Sequence, residues 1–209
     1  MKINKSKKNY NDPLIWTKRK TLSSKLCKDS IVKFENDDRK QPGLVGLTRE
    51  LSDIKKSVDL NISPFDDWKD EDAEFFQSLT IHLNEYYDHC NQYNKYFPYA
   101  FEGLKNGVGI KDSGYQIQRT YPGEYYEWHH DGCVENGFVR VLTYLWYLND
   151  VHEDGYTEFS NGMKIQPEEG KLLIFPATWT YIHRGYPPKS ETKYICTGWI
   201  SCDVRNNVC

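Results

Sequence analysis

His129 and Asp131, one residue apart, and the later pair His183 and Lys193 are the residues here whose types and spacing could do chemistry. In an extended segment the period of two puts His129 and Asp131 on one face and His130 on the other. Two neutral imidazoles and one carboxylate on one side of a metal suit Fe(II) and leave the opposite positions open to small ligands. His183 is the candidate for the third donor. Lys193 opens the run Lys193-Tyr194-Ile195-Cys196-Thr197-Gly198-Trp199, whose alternation places Lys193, Ile195, Thr197 and Trp199 on one face. A cation at the entry of a mostly apolar pocket fits a small dicarboxylate, because a buried anion without a partner is costly.

The elements that must position these groups change character at Tyr115. From there the period is two: residues 115–121, 139–148, 171–175, 181–184 and 192–201 read as strands, separated by Gly, Pro, Asn and Asp. The earlier part reads as helical. Ser23 or Ser24 caps a helix with the stripe Leu26, Cys27, Ser30, Ile31 and Phe34, ending near Asn36. Ser63-Pro64 opens a longer one reaching toward Tyr96, with acids in its first turns and the stripe Phe76, Leu79, Leu83, Tyr86, Cys90 and Tyr93. Turn residues between Arg39 and Gly46 predict a loop, with a short strand near residues 54–60. Short strands after a helical start predict helices packed on an antiparallel sandwich or barrel.

Composition bounds the class. A chain of 209 residues makes one domain the default, and 15% aromatic residues, 16 of them Tyr and 6 Trp, outweigh the low mean hydropathy of -0.77 as an argument for a packed core. The net charge of -3 is uneven: residues 1–28 hold nine Lys or Arg and one acid, or +8, leaving -11 for the rest. Residues 1–20 therefore read as a basic flexible tail and 21–209 as the domain, with its metal-binding core over about 115–202. Six cysteines without a CxxC pair support neither a zinc ribbon nor a disulfide scaffold and are expected to be reduced. With no apolar leader and no membrane-length run, a soluble cytoplasmic protein is expected.

The ordered motifs carry a resemblance. Tyr121, Tyr126 to Asp131, Arg140 to Leu148, Gly155-Tyr156-Thr157-Glu158-Phe159, Pro167 to Gly170, Phe175, His183 and Lys193 to Trp199 together resemble the prolyl 4-hydroxylase-like branch of the Fe(II)/2-oxoglutarate-dependent dioxygenases. The resemblance implies an α+β fold, a double-stranded β-helix (jelly roll) with N-terminal helices packed on one sheet. It implies that His129, Asp131 and His183 bind Fe(II), that Lys193 pairs with the distal carboxylate of 2-oxoglutarate, and that Tyr121, Tyr147 and Thr197 touch the cosubstrate or line its pocket. It implies O2 as cosubstrate, ascorbate as reductant, and hydroxylation of an unactivated C–H bond, on a peptidyl proline or alternatively on a free amino acid or other small molecule. Asp154-Gly155 departs from the family's Gly-Gly at that turn. Against these stand a zinc hydrolase, which has no use for Lys193, and a cupin-like binder, which wants His-x-His and a later Glu. A nucleic-acid dealkylase of the same superfamily has an arginine where Lys193 stands. Nucleic acid and membrane are thus not expected partners, and no heptad or stripe predicts an oligomeric state. His82 and His89 read as helix residues, His152 to Asp154 as a solvated turn and Trp199 as packing under the pocket, while Arg140 reads either as a sheet-edge ion pair or as facing substrate.

Overall fold

The computed structural model describes residues 11–46, 53–93, 110–203 and 205. Helix α1 (Ser24–Glu35) begins where Ser23 Oγ accepts from Leu26 N–H at 3.0 Å, and ends at Asn36. Helix α2 (Lys69–Tyr93) follows a 3₁₀ turn, Asp66–Trp68, with Asp70, Glu71 and Asp72 placed against the positive end of its dipole. Its start lies later than Ser63-Pro64 because the Ser63 hydroxyl is used elsewhere, accepting from Tyr115 N–H at 2.8 Å and donating to Asp72. The buried side of α2 is Phe75, Ser78, Leu79, Tyr86, Tyr87 and Cys90, whereas Phe76 and Tyr93 are 55% and 59% exposed. That corrects the expected stripe. Phe75 takes the inward place, 5.5 Å from the ring centres of both Tyr115 and Trp146.

The strands are β1 (Trp16–Lys18), β2 (Gln41–Pro42), β3 (Val58–Asn61), β4 (Ile110–Asp112), β5 (Gln116–Thr120), β6 (Tyr126–His129), β7 (Val134–Glu135), β8 (Phe138–Tyr147), β9 (Thr157–Phe159), β10 (Lys164–Ile165), β11 (Lys171–Pro176), β12 (His183–Gly185) and β13 (Lys193–Asp203). They form two antiparallel sheets, the large one ordered β1-β11-β8-β13-β5-β3-β2 with β4 on β13 and β7 on β8, the small one β10-β9-β12-β6. From β5 onward the chain passes back and forth between the sheets, the winding of a jelly roll. The helices cover the outer face of the large sheet, so its strands are buried on both sides and read as nearly continuous apolar runs. Leu142, Tyr144 and Trp146 of β8 join Leu172 and Ile174 of β11 under the helices. Leu145, Tyr147, Leu173 and Phe175 alternate with them and meet Phe159 and Ile165 of the small sheet.

Two expectations are corrected here. Residues 11–20 are not a flexible tail: Trp16, Thr17 and Lys18 pair with Ile174, Leu173 and Leu172 as an edge strand, and Ile15 is buried. Residues 1–10 lie outside the described residues. Nor are all cysteines reduced, since Cys202 is disulfide-bonded while Cys27, Cys90, Cys133 and Cys196 are free. No helix among the described residues is long and apolar enough to cross a membrane.

Candidate metal centre

Pairing of β6 and β12 builds the donor set. Their register places His183 opposite His129, which brings the two imidazole rings to 4.3 Å between centres. Asp131 is the second residue beyond β6, and its carboxylate oxygens lie 3.7 Å from Nε2 of each histidine. One donor atom from each of the three falls within 4.8 Å of the others, and His130 stands outside the cluster.

The surroundings prepare these atoms for a cation. His129 Nδ1 donates to Glu127 O at 2.7 Å and His183 Nδ1 to Tyr181 O at 3.0 Å; a carbonyl can only accept, so each Nε2 is left with its lone pair facing the cluster. Burial, then His183, pushes the His129 imidazole down to about 4, keeping it neutral. Burial pushes the Asp131 carboxyl upward, but the two histidines and the Thr143 hydroxyl, 2.7 Å away, outweigh it and hold the group below the usual carboxylate range. Two imidazole nitrogens and one carboxylate, all desolvated and already oriented, fit a divalent transition metal. Phe159 and Phe175 wall His183 at 5.7 and 4.7 Å between ring centres.

Across the sandwich, β13 supplies the other end of the same pocket. Lys193 is 5% exposed; its Nζ donates to Gly155 O at 3.1 Å and has no carboxylate partner among the described residues. Burial pushes its ammonium down to about 8. A desolvated cation with one neutral acceptor is a place for an anion. Asp154 and Gly155 adopt φ of +61° and +68°, so Asp154 takes up the left-handed conformation that a glycine would supply at this turn.

The other sequence candidates divide. Thr197 lines the pocket, its hydroxyl donating to Tyr144 O at 2.8 Å. Tyr147 faces the sandwich interior, but its hydroxyl is committed to Thr157 Oγ1 at 2.7 Å, and it is Thr157 that lines the pocket. Tyr121 is misplaced: it is 44% exposed with the Arg119 guanidinium 4.3 Å from its ring centre. The period of two explains this, since 121 shares the parity of Ile117, under the helices, while Gln118 and Thr120 face the pocket. Arg140 forms no ion pair among the described residues and stacks 3.9 Å over Trp199, a pocket-wall residue. Lys55, Ser57, Tyr125 and Tyr126 also line the pocket. Lys55, Ser57 and Tyr125 went unread; their approach depends on chain crossing from one sheet to the other, and no local pattern announces it. The exposed His152 pairs with Glu191 at 2.8 Å, away from the site.

A jelly roll whose small sheet and the residues just after it bring two histidines and an aspartate around one point, facing a buried lysine on the large sheet, is an architecture suited to a metal ion beside a bound anion. Residues 115–201 match the family model of the 2OG-Fe(II) oxygenase superfamily. A protein of Acanthamoeba polyphaga mimivirus named "Putative prolyl 4-hydroxylase" is 34% identical over 103 residues, 40% of this chain and 43% of that protein. Among solved structures, a viral collagen prolyl hydroxylase of Paramecium Bursaria Chlorella virus-1 is 19% identical, with 90% of this chain and 96% of that one covered and a TM-score of 0.57. A Trichoplax adhaerens prolyl hydroxylase, solved with a hypoxia inducible factor peptide fragment, is 18% identical, covers 91% and 84%, and has a TM-score of 0.67. Residues 115–201 thus resemble the 2OG-Fe(II) oxygenase superfamily, and the similar proteins lie in its prolyl hydroxylase-like branch. The chain spans less than half the length of the curated relatives it matches.

Proposed function

We propose that this protein is an Fe(II)- and 2-oxoglutarate-dependent dioxygenase that hydroxylates an unactivated C–H bond, with a peptidyl proline as its substrate. The observation that carries the reading is the convergence, in one pocket, of His129, Asp131 and His183 with Lys193, which has no carboxylate partner among the described residues. His129, Asp131 and His183 would hold Fe(II), and Lys193 would bind the distal carboxylate of 2-oxoglutarate. The bound metal supplies activation of dioxygen coupled to oxidative decarboxylation of 2-oxoglutarate. This chain's residues do the positioning: Thr143 holds Asp131, the Glu127 and Tyr181 carbonyls hold the imidazoles, and the apolar wall of Leu145, Ile195 and Phe175 keeps bulk water from the reacting centre. The choice of peptidyl proline rests on the prolyl hydroxylase names of the similar proteins, and ascorbate as reductant belongs to the same proposal.

Anaerobic addition of Fe(II) and 2-oxoglutarate should give a weak visible charge-transfer band, absent from His183→Ala. Aerobically, proline-rich peptides should raise succinate release above the level without substrate, in step with hydroxyproline formation. A band that survives His183→Ala sinks the iron assignment. Stimulation by free amino acids but not by peptides moves the substrate to the small-molecule class.

A further inference from the structure

One charged pair, whose lysine lines the pocket, belongs neither to the donor set nor to the Lys193 end. Lys55 and Asp59 are 8% and 7% exposed, with Nζ and Oδ2 2.6 Å apart, and Ser57 Oγ donates to Asp59 Oδ1 at 2.8 Å. A buried ion pair adds little net stability, because desolvation offsets its attraction. What this one does is hold an ammonium at a set place.

The segment carrying it belongs to both sheets. Residues 58–61 are β3 of the large sheet, while Lys55 bridges to Tyr126 at the edge of the small sheet, with Glu127 N–H donating to Ile54 O at 2.8 Å and Lys56 N–H to Tyr125 O at 2.7 Å. This puts Lys55 Nζ 5.1 Å from the centre of the Tyr126 ring. That ring lies face to face with the His129 imidazole, 3.5 Å between centres and 12° between planes. The hydrogen bond to Glu127 O decides which nitrogen of His129 is free; the stack decides the plane in which its lone pair points.

We propose that Lys55 is a positioning residue for the metal centre: anchored by Asp59, it clamps the Tyr126 ring, and the ring fixes the plane of His129. The clamp rests on the metal-centre reading above and deepens it. An imidazole that swings out of plane carries its lone pair off the point shared with Asp131 and His183, so loss of the clamp weakens the metal without removing a ligand. Gly43 seals the device from the other side: a Cβ there would press on Ser57 Oγ and sit 2.9 Å from Lys55 Cε.

The test uses the full chain titrated with Co(II), read by its visible d–d bands. Lys55→Met should lower Co(II) affinity by roughly 10-fold, the scale on which groups orienting a metal ligand act, and should shift the bands. Its melting transition should fall, because Asp59 is left buried without its cation, while the 2-oxoglutarate affinity of the folded, metal-saturated protein should stay as in wild type. Lys55→Arg, which restores a cation to Asp59 and to the ring, should recover both affinity and spectrum. Gly43→Ala, which displaces the clamp without deleting it, should give the same band shift at smaller size. A folded Lys55→Met protein with wild-type affinity and spectrum overturns the clamp. If Lys55→Met does not fold, an unchanged Co(II) spectrum in Gly43→Ala overturns it instead. Absence of Co(II) bands in wild type overturns the metal-centre reading and the clamp together, whereas wild-type bands that neither variant alters overturn the clamp alone.

Discussion

The two faces of the large sheet are made by the same strands and do opposite work. On the outer face Tyr144 and Trp146 of β8 meet Tyr115 and Phe75 in an aromatic cluster closed over by the helices. On the inner face their neighbours Thr143 and Leu145, with Lys193 and Thr197 of β13, line a pocket. The difference shows how alternate residues of one strand separate stability from chemistry: one face is sealed, and the other keeps desolvated polar groups pointed at a shared space.

The comparison can be broken most severely from the sealed side. Phe75→Ala should destabilise the fold by about 3–5 kcal/mol, the cost of deleting a buried aromatic ring, while Phe76→Ala on the exposed side should stay within about 0.5 kcal/mol. Urea unfolding of the two variants checks this, and equal effects would show that the helix is turned otherwise. Metal affinity measured under native conditions should be the same in both.

From the open side the pattern should reverse. Lys193→Met should weaken 2-oxoglutarate by about 2 kcal/mol or more, the scale of truncating one partner of a buried charge pair. Fe(II) affinity should hold, and the melting temperature should not fall, because the ammonium costs desolvation free energy in the empty pocket. Calorimetric titration with 2-oxoglutarate, with a thermal melt alongside, separates these outcomes; equal loss of both ligands would mean that Lys193 is structural.

The smallest effect sharpens the assignment of charge. Burial holds the Lys193 ammonium near about 8, below its ordinary range, and a bound carboxylate favours the charged form. Below that pH the cation is already present and affinity is flat. As pH rises through about 8 the empty pocket increasingly holds a neutral amine, so binding must take up a proton and affinity falls, by roughly tenfold per pH unit at most. Pyruvate, which lacks the distal carboxylate, should show no such dependence.

Much of this was legible in the chain. Ser23 caps α1 as its residue type and spacing require, and β5, β8, β11, β12 and β13 fall where period two and the turn residues put them, whereas the two- and three-residue strands β7, β9 and β10 are too short to show a period. Phe75 was less so: three- and four-residue steps fit two adjacent stripes on α2, and only the hollow between Tyr115 and Trp146 selects one. β1 was hidden because three residues in a basic stretch carry no periodic signal, and their edge pairing with β11 is a long-range event.

By itself the sequence determined the donor types, the alternation that sets His129 with Asp131 against His130, and the face shared by Lys193, Ile195, Thr197 and Trp199, because these follow from backbone geometry over a few residues. The tertiary structure alone decided that His183 lies opposite His129, that Tyr121 turns toward solvent while Thr157 reaches the pocket, and that Lys55 stands behind Tyr126. Those facts depend on register and on the packing of two sheets, which bring together residues far apart in the chain and leave no mark in local spacing.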